Sequence, residues 1–482
     1  MKQDEYDVII IGAGIGGLVS SCFLAKHGLK VLVLEKNTNV GGFCNSFIVK
    51  NYLFDGCVHS LGNLAVSEEF YSIIEDLGIR ESLNLTRHNP SDSIKFKGGE
   101  ILFRNELQET VKNFAKHFPK QKDGIRAFFE DAFKLEKLAS VVKYRNKTFS
   151  SLLNEYFDDE ILKKIMSLPT YGNVGVAADQ LNAFTAMKHY KNFLIDGGYY
   201  PKEGIQALPN ALAKRIINWG GEISLSTPVE KILIKGGVAI GVRAVNKKEY
   251  SGRFIISSCN TRQTFFSLLD ADAFNRTFLK RIEGMTPSAT LFILYIGLNH
   301  CTNDVFIDRC NNWHILDLNF DKEESNKNIN EEFEKFKIKW FMALPNYYNR
   351  TVLAFTSVPF VSNEFWKKNK KIFQNYFLNE IEKVAPGFSS SIIFCSSSSP
   401  ITLDRWTSSY NGACYGWAST PTQFMDQEFF RDKVIKNLFF CSHWSTVTSG
   451  VSGVSILGRY VADIIYKRSQ RMKTCSNYIY EK

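Results

Sequence analysis

Apolar residues fill positions 7–11 and 30–34 almost without a break, and between them residues 15–27 are apolar on every side until Gly28. Short continuous apolar runs predict strands buried on both faces, and the longer run predicts a buried helix stopped by glycine, so the chain opens on a strand–helix–strand unit. From about Ser67 to Tyr190 the spacing becomes that of amphipathic helices, as in residues 125–142, where Phe128, Phe129, Phe133, Leu135 and Leu138 recur at helical intervals. Strand periodicity returns at 222–225, and the runs 229–234 and 238–245 flank Gly236-Gly237, a two-residue hairpin signal. Residues 254–257 predict a strand that rejoins the first sheet. Apolar strands at 290–296, 351–358 and 391–395 predict a second sheet, with the charged, Asn-rich stretch 321–339 as a surface excursion. The chain closes on a strand at 437–441, a loop of small residues, and a helix from about Val454 to Lys467.

The first turn carries chemistry. Gly12, Gly14 and Gly17 lie in the run Gly-Ala-Gly-Ile-Gly-Gly between the first strand and the helix, with Ile15 and Gly16 inside it. Glycines at that spacing permit a tight turn, close approach of backbone to a pyrophosphate, and close helix–strand packing. Glu35 ends the second strand, where a carboxylate accepts from the adenosine ribose hydroxyls. The strand before, the helix after and the acid beyond turn a weak motif into a dinucleotide site. Lys36 and then Gly41-Gly42 follow Glu35, an extension that resembles the flavoprotein pattern of an acidic residue, a few loop residues and a glycine pair, and so tilts the choice from nicotinamide to flavin.

Further segments narrow the resemblance. They are Phe54-Asp55-Gly56 with His59 and Leu61; Phe118-Pro119 with Gly124-Ile125 and Phe128-Phe129; the run from Gly197-Gly198 to Pro201 with Gly204; and Gly220-Gly221-Glu222 before Val229. The C-terminal part adds Tyr415-Gly416-Trp417, the run from Asn437 to Phe440, His443-Trp444, Gly450-Val451 and Gly453-Val454. Together they span nearly the whole chain, which resembles the phytoene desaturase and carotenoid isomerase branch of the amine-oxidase-type flavoproteins, a branch that also includes retinol saturase. The resemblance implies FAD as cofactor, with Val229 meeting the adenine and the loop from His443 to Val454 closing over the isoalloxazine. Two positions depart from it: Phe43 stands where many relatives have Arg after the glycine pair, and Ser442 where a Gly precedes the His-Trp dipeptide.

The resulting expectation is an α/β fold: a Rossmann-like, glutathione-reductase-like FAD-binding domain from 1–66, 196–285 and 426–482, a helical insertion at 67–195 facing substrate or membrane, and a mixed-sheet substrate domain at 286–425. Thirty-nine Phe and twenty Tyr favour apolar walls for a long polyene or isoprenoid-like substrate. The expected activity is carbon–carbon desaturation or its reverse, with hydride moving between carbon and flavin. A reduced-flavin cis–trans isomerase, a tailoring enzyme on a polyene natural product and a non-catalytic FAD scaffold stand as alternatives. His59 and His443 are the candidate proton acceptors, because a neutral imidazole can take the proton that accompanies hydride loss.

The net charge of +10 changes this little. No basic stripe interleaved with aromatics argues for nucleic acid. Lys467, Arg468, Arg471 and Lys473 form a basic tail that suits peripheral contact with an anionic membrane. Ten scattered cysteines without a CxxC pair predict neither a metal site nor a redox dithiol and fit a reducing, cytoplasmic compartment. A flavin link through Cys414 or Cys441 is the reactive alternative to two small buried hydrophobes. The oligomeric state stays open.

Overall fold

The computed structural model describes residues 5–135, 137–270, 276–300, 305–321, 336–425, 435–445 and 450–480, the side chains of 137 and 473–480 apart. Most of the expected excursion at 321–339 and residues 446–449 of the closing loop lie outside the described residues.

The first sheet has seven strands. Its order is Val229–Lys235, Val238–Ala244, Glu249–Ser257, Glu5–Ile11, Val31–Leu34 and Glu222–Ser224, and Leu438–Phe440 pairs with Glu249–Ser257. Glu5–Ile11 lies parallel to both Glu249–Ser257 and Val31–Leu34. Leu438–Phe440 is parallel to residues 255–257 and so brings the closing segment beside the opening one. Gly236 and Gly237 turn the hairpin at φ 58° and 76°, the left-handed pair that a tight two-residue turn requires. The helix Ile15–Lys26 is buried from Ile15 to Ala25 because helices Ala207–Asn218 and Gly450–Tyr480 pack against it on top of the sheet. That is why its sequence shows no polar face.

The second sheet also has seven strands, in the order Ile392–Ser398, Thr290–Leu298, Thr351–Val358, Trp340–Asn346, Asn311–Ile315, Asp92–Phe96 and Gly99–Phe103. Its strand Thr290–Leu298 is buried on both sides. Leu291, Ile293 and Tyr295 enter the core shared with the helical segments, while Phe292, Leu294 and Ile296 pack beneath the helix Asn363–Val384. Each such side chain contributes about 1.5–3 kcal/mol by leaving water.

Two expectations are corrected. The stretch from Ser67 to Tyr190 is not helical throughout: it contains Leu85–Arg87, Asp92–Phe96 and Gly99–Phe103, and the last two are an edge hairpin of the second sheet. The sequence did carry a sign of it in the glycines Gly98-Gly99, and the two-residue turn is Lys97-Gly98, between the paired Phe96 and Gly99. Partnering decides the rest, since Asp92–Phe96 finds its parallel neighbour in Asn311–Ile315, far along the chain. The basic tail is also not a free end. The last helix runs from Gly450 to Tyr480, so Lys467, Arg468 and Arg471 lie on it, and the Arg468 guanidinium sits over the Phe439 ring at 5.2 Å.

Candidate functional site

One cavity collects most of the residues singled out from the sequence. Gly12, Gly14, Ile15, Gly16, Glu35, Lys36, Gly41, Gly42, Phe43, His59, Val229, Ser442, His443, Gly450, Gly453 and Val454 all line it. Gly17 does not. A Cβ there would meet the Gly12 carbonyl oxygen at 2.6 Å, so this glycine serves helix–strand packing.

The end of the cavity beside the first sheet is built for an anion. The helix Ile15–Lys26 begins at Gly14 with no side-chain cap and no acidic residue in its first turn, leaving backbone N–H groups without intrahelical partners. A Cβ on Gly14 would meet only Ser258 Oγ at 3.5 Å, an ordinary contact. The protein's own packing does not demand glycine at this position, and the absence of a side chain leaves the helix start open to the cavity. The backbone N–H of Gly41 donates to the Ala13 carbonyl at 2.8 Å, which seats the glycine pair against the loop. Glu35 is held by two backbone donors: Ala13 N–H to Oε2 at 2.7 Å and Asn37 N–H to Oε1 at 2.9 Å. Each oxygen keeps a further lone pair for a ribose hydroxyl. Lys36 is committed elsewhere, donating to Ser408 Oγ at 2.6 Å. A second helix start, Gly450 to Val454, lines the same space.

His59 stands where the second sheet meets the cavity. Its Nδ1 lies 3.0 Å from Asn311 Oδ1, and its ring packs on Phe355 and Phe193 with centroids 5.5 and 6.1 Å apart. Burial pushes its pKa down to about 4. His443 packs on Phe43 at 5.4 Å, and burial again lowers it to about 4. Both rings are therefore neutral near pH 7 and present a lone pair rather than a charge. His59 also walls a second, smaller cavity together with Asp55, His88, Tyr200 and Arg309. Phe43, Phe193, Tyr415, Val174, Leu61 and Cys57 make the main cavity apolar around the histidines.

Several residues here left no local signal in the sequence. His189 lines the cavity, stacks on Phe193 at 5.1 Å and is pushed down to about 3 by burial and by His59. Asp92, Asn311 and Trp313 lie behind His59 and are brought to it only by strand pairing. Cys441 is fully buried with its thiol pushed up to about 12, and burial also raises Cys414, which lines the cavity. Neither is a thiolate.

Residues 15–466 match the family described as flavin containing amine oxidoreductase, which covers nearly the whole chain. The chain belongs to that family. Curated relatives lie within it. The chain is 23% identical over 86% of its length to a zebrafish (Danio rerio) all-trans-retinol 13,14-reductase, 78% of which is covered. It is 24% identical over 86% of its length to the chloroplastic prolycopene isomerase of carrot (Daucus carota), covering 72% of that protein. It is 24% identical over 95% of its length to a zeta-carotene-forming phytoene desaturase of Myxococcus xanthus, covering 93% of it. Among solved structures, an oxidoreductase from Methanosarcina mazei superposes with a TM-score of 0.67 at 15% identity, covering 95% of this chain and 100% of that one. This flavoprotein family fixes FAD as the cofactor, and the uncapped helix start, the glycine pair and Glu35 suit its pyrophosphate and ribose.

Proposed function

We propose that this flavoprotein removes hydrogen from a carbon–carbon bond of a long apolar polyene. The observation that carries the reading is a single cavity with a dinucleotide cradle at one end and, at the other, neutral buried imidazoles among aromatic side chains. The relatives named for reactions on retinol, prolycopene and phytoene support the substrate class.

FAD, when bound, supplies the two-electron acceptor that takes hydride from carbon. The chain has two remaining tasks. It keeps water from the electron-poor carbon left behind, which the apolar lining does. It also takes the proton from the neighbouring carbon. That C–H is strongly acidic once its neighbour is cationic, so an imidazole lowered to about 4 is still a sufficient base. His59 is the acceptor we assign, with His443 as the second imidazole on the cavity wall. Gly12, Gly14, Gly16, Gly41, Gly42, Glu35, Val229, Ser442 and the start of the last helix hold the cofactor in this reading.

Anaerobic mixing of the oxidised holoprotein with phytoene or retinol tests it. The flavin absorbance is expected to bleach and the product to be two hydrogens lighter. A product of unchanged mass, formed only after the flavin has been reduced, would overturn desaturation in favour of polyene isomerisation.

Contact with an anionic bilayer belongs to the same proposal. Among the described residues no helix is long and apolar enough to cross a membrane. Phe133, Leu138 and Val142 nevertheless stand 55%, 80% and 62% exposed on the adjacent helices Lys122–Phe133 and Lys137–Tyr144. Exposed apolar side chains of this kind suit peripheral docking. The protein is expected to pellet with anionic liposomes at low salt, and Leu138→Glu to leave it in the supernatant. Wild-type protein that stays in solution removes the idea.

A further inference from the structure

Behind His59 lie three buried groups whose hydrogen-bonding roles, with Asp92 ionised, fit one arrangement. Trp313 Nε1 can only donate, and it donates to Asp92 Oδ1 at 2.8 Å. An ionised Asp92 carboxylate can only accept. The Asn311 atom 3.0 Å from Asp92 Oδ1 is then the donor, Nδ2. That orients the amide and turns Asn311 Oδ1, an acceptor, toward His59 Nδ1 at 3.0 Å. His59 Nδ1 therefore carries the hydrogen, and Nε2 keeps the lone pair.

The arrangement is built into the second sheet. Asp92 and Asn311 sit opposite each other in the parallel strand pair, and Trp313 follows two residues on, on the same face. Asp92, Asn311 and Trp313 are 1%, 3% and 0% exposed, so water does not compete for their hydrogen bonds. Asn173 and His189, from the helical segments, also interact with the ring, Asn173 through a side-chain hydrogen bond.

We propose that Asp92, Asn311 and Trp313 are positioning residues that hold His59 in the Nδ1–H form, so that its Nε2 takes a proton from the substrate and has none to give. This rests on His59 being the proton acceptor of the proposed reaction. The step balances: two C–H bonds break, a carbon–carbon double bond forms, the hydride pair goes to FAD, and the proton goes to Nε2. Reduction of a double bond would instead begin by giving a proton to carbon, and a bare Nε2 cannot do that. The wiring thus biases the cavity toward removing hydrogen over adding it.

Nitrogen-15 NMR of the histidine-labelled holoprotein reads this without turnover, because a bare ring nitrogen and a protonated one resonate far apart. The chain has eight histidines, and the His59 signal is the one lost in His59→Gln. Protonated Nδ1 and bare Nε2 are expected. Asp92→Asn is expected to keep that pattern, since an amide oxygen can accept from both Trp313 and Asn311. Asp92→Leu and Asn311→Leu are expected to release it toward a mixture with Nε2–H. An Nε2–H signal in the wild type, or an unchanged pattern in Asn311→Leu, overturns the assignment. If the pattern is as expected but His59→Gln still bleaches its flavin with polyene at the wild-type rate, the positioning stands and the proton-acceptor role falls.

Discussion

Gly14→Asp is expected to give a well-folded, colourless protein. Gly14 caps the helix Ile15–Lys26 at φ −70° and ψ 167°, extended backbone that any residue adopts, and a Cβ there meets no protein atom closer than 3.5 Å. Aspartate is among the best N-caps, so its carboxylate takes up the helix's free N–H groups and contributes about 1 kcal/mol to the fold. The same carboxylate occupies the place of the pyrophosphate with like charge. Loss of FAD affinity on the order of 100-fold, about 2.7 kcal/mol, follows from exchanging an attraction for a repulsion at that helix end. Flavin absorbance of the purified protein, with its melting temperature as control, reads the result. Wild-type flavin content would place the cofactor elsewhere.

His59→Gln has the opposite profile. The protein is expected to keep its FAD and its yellow colour, while flavin bleaching by polyene slows by about 10²–10⁴-fold, the usual worth of a positioned proton acceptor. Glutamine preserves a polar side chain for Asn311 and cannot take up a proton. The pH dependence has a definite sign. His59 is lowered to about 4, so its accepting form is fully populated from pH 6 to 8, and the wild-type rate is expected to be flat there and to fall as pH drops through 4. If His443→Gln suffers this loss and His59→Gln does not, the acceptor is His443.

The parts that hold a cofactor were legible because they are local. The loop from Gly12 to Gly17, Glu35, and Gly41-Gly42 lie within one supersecondary unit, and the positive φ of Gly12, Gly41 and Gly42 is written in glycine. The wiring behind His59 was not legible, because nothing local requires it. Residues 311–315 begin Asn-Asn, a pair that ordinarily signals a turn. Inside the protein the Asn312 Nδ2 group donates to the carbonyl oxygens of Ile307, Cys310 and Ala343, and Asn311 bridges Asp92 and His59. Two side-chain amides satisfied in this way make a strand of a segment whose propensity reads as loop. Asp92 likewise is buried through strand pairing with a segment far along the chain. Trp340–Asn346 and the helix Asn363–Val384 add to the same lesson, since their packing partners lie across the second sheet.

The strand Leu438–Phe440 completes the first sheet, and the helix start at Gly450 lines the cavity that the opening glycine loop begins. The two halves of the cofactor site are thus made at different times in synthesis. Chains leave the ribosome N-terminus first, so the strand–helix–strand unit lacks its second wall until Leu438–Phe440 and the helix start at Gly450 have emerged.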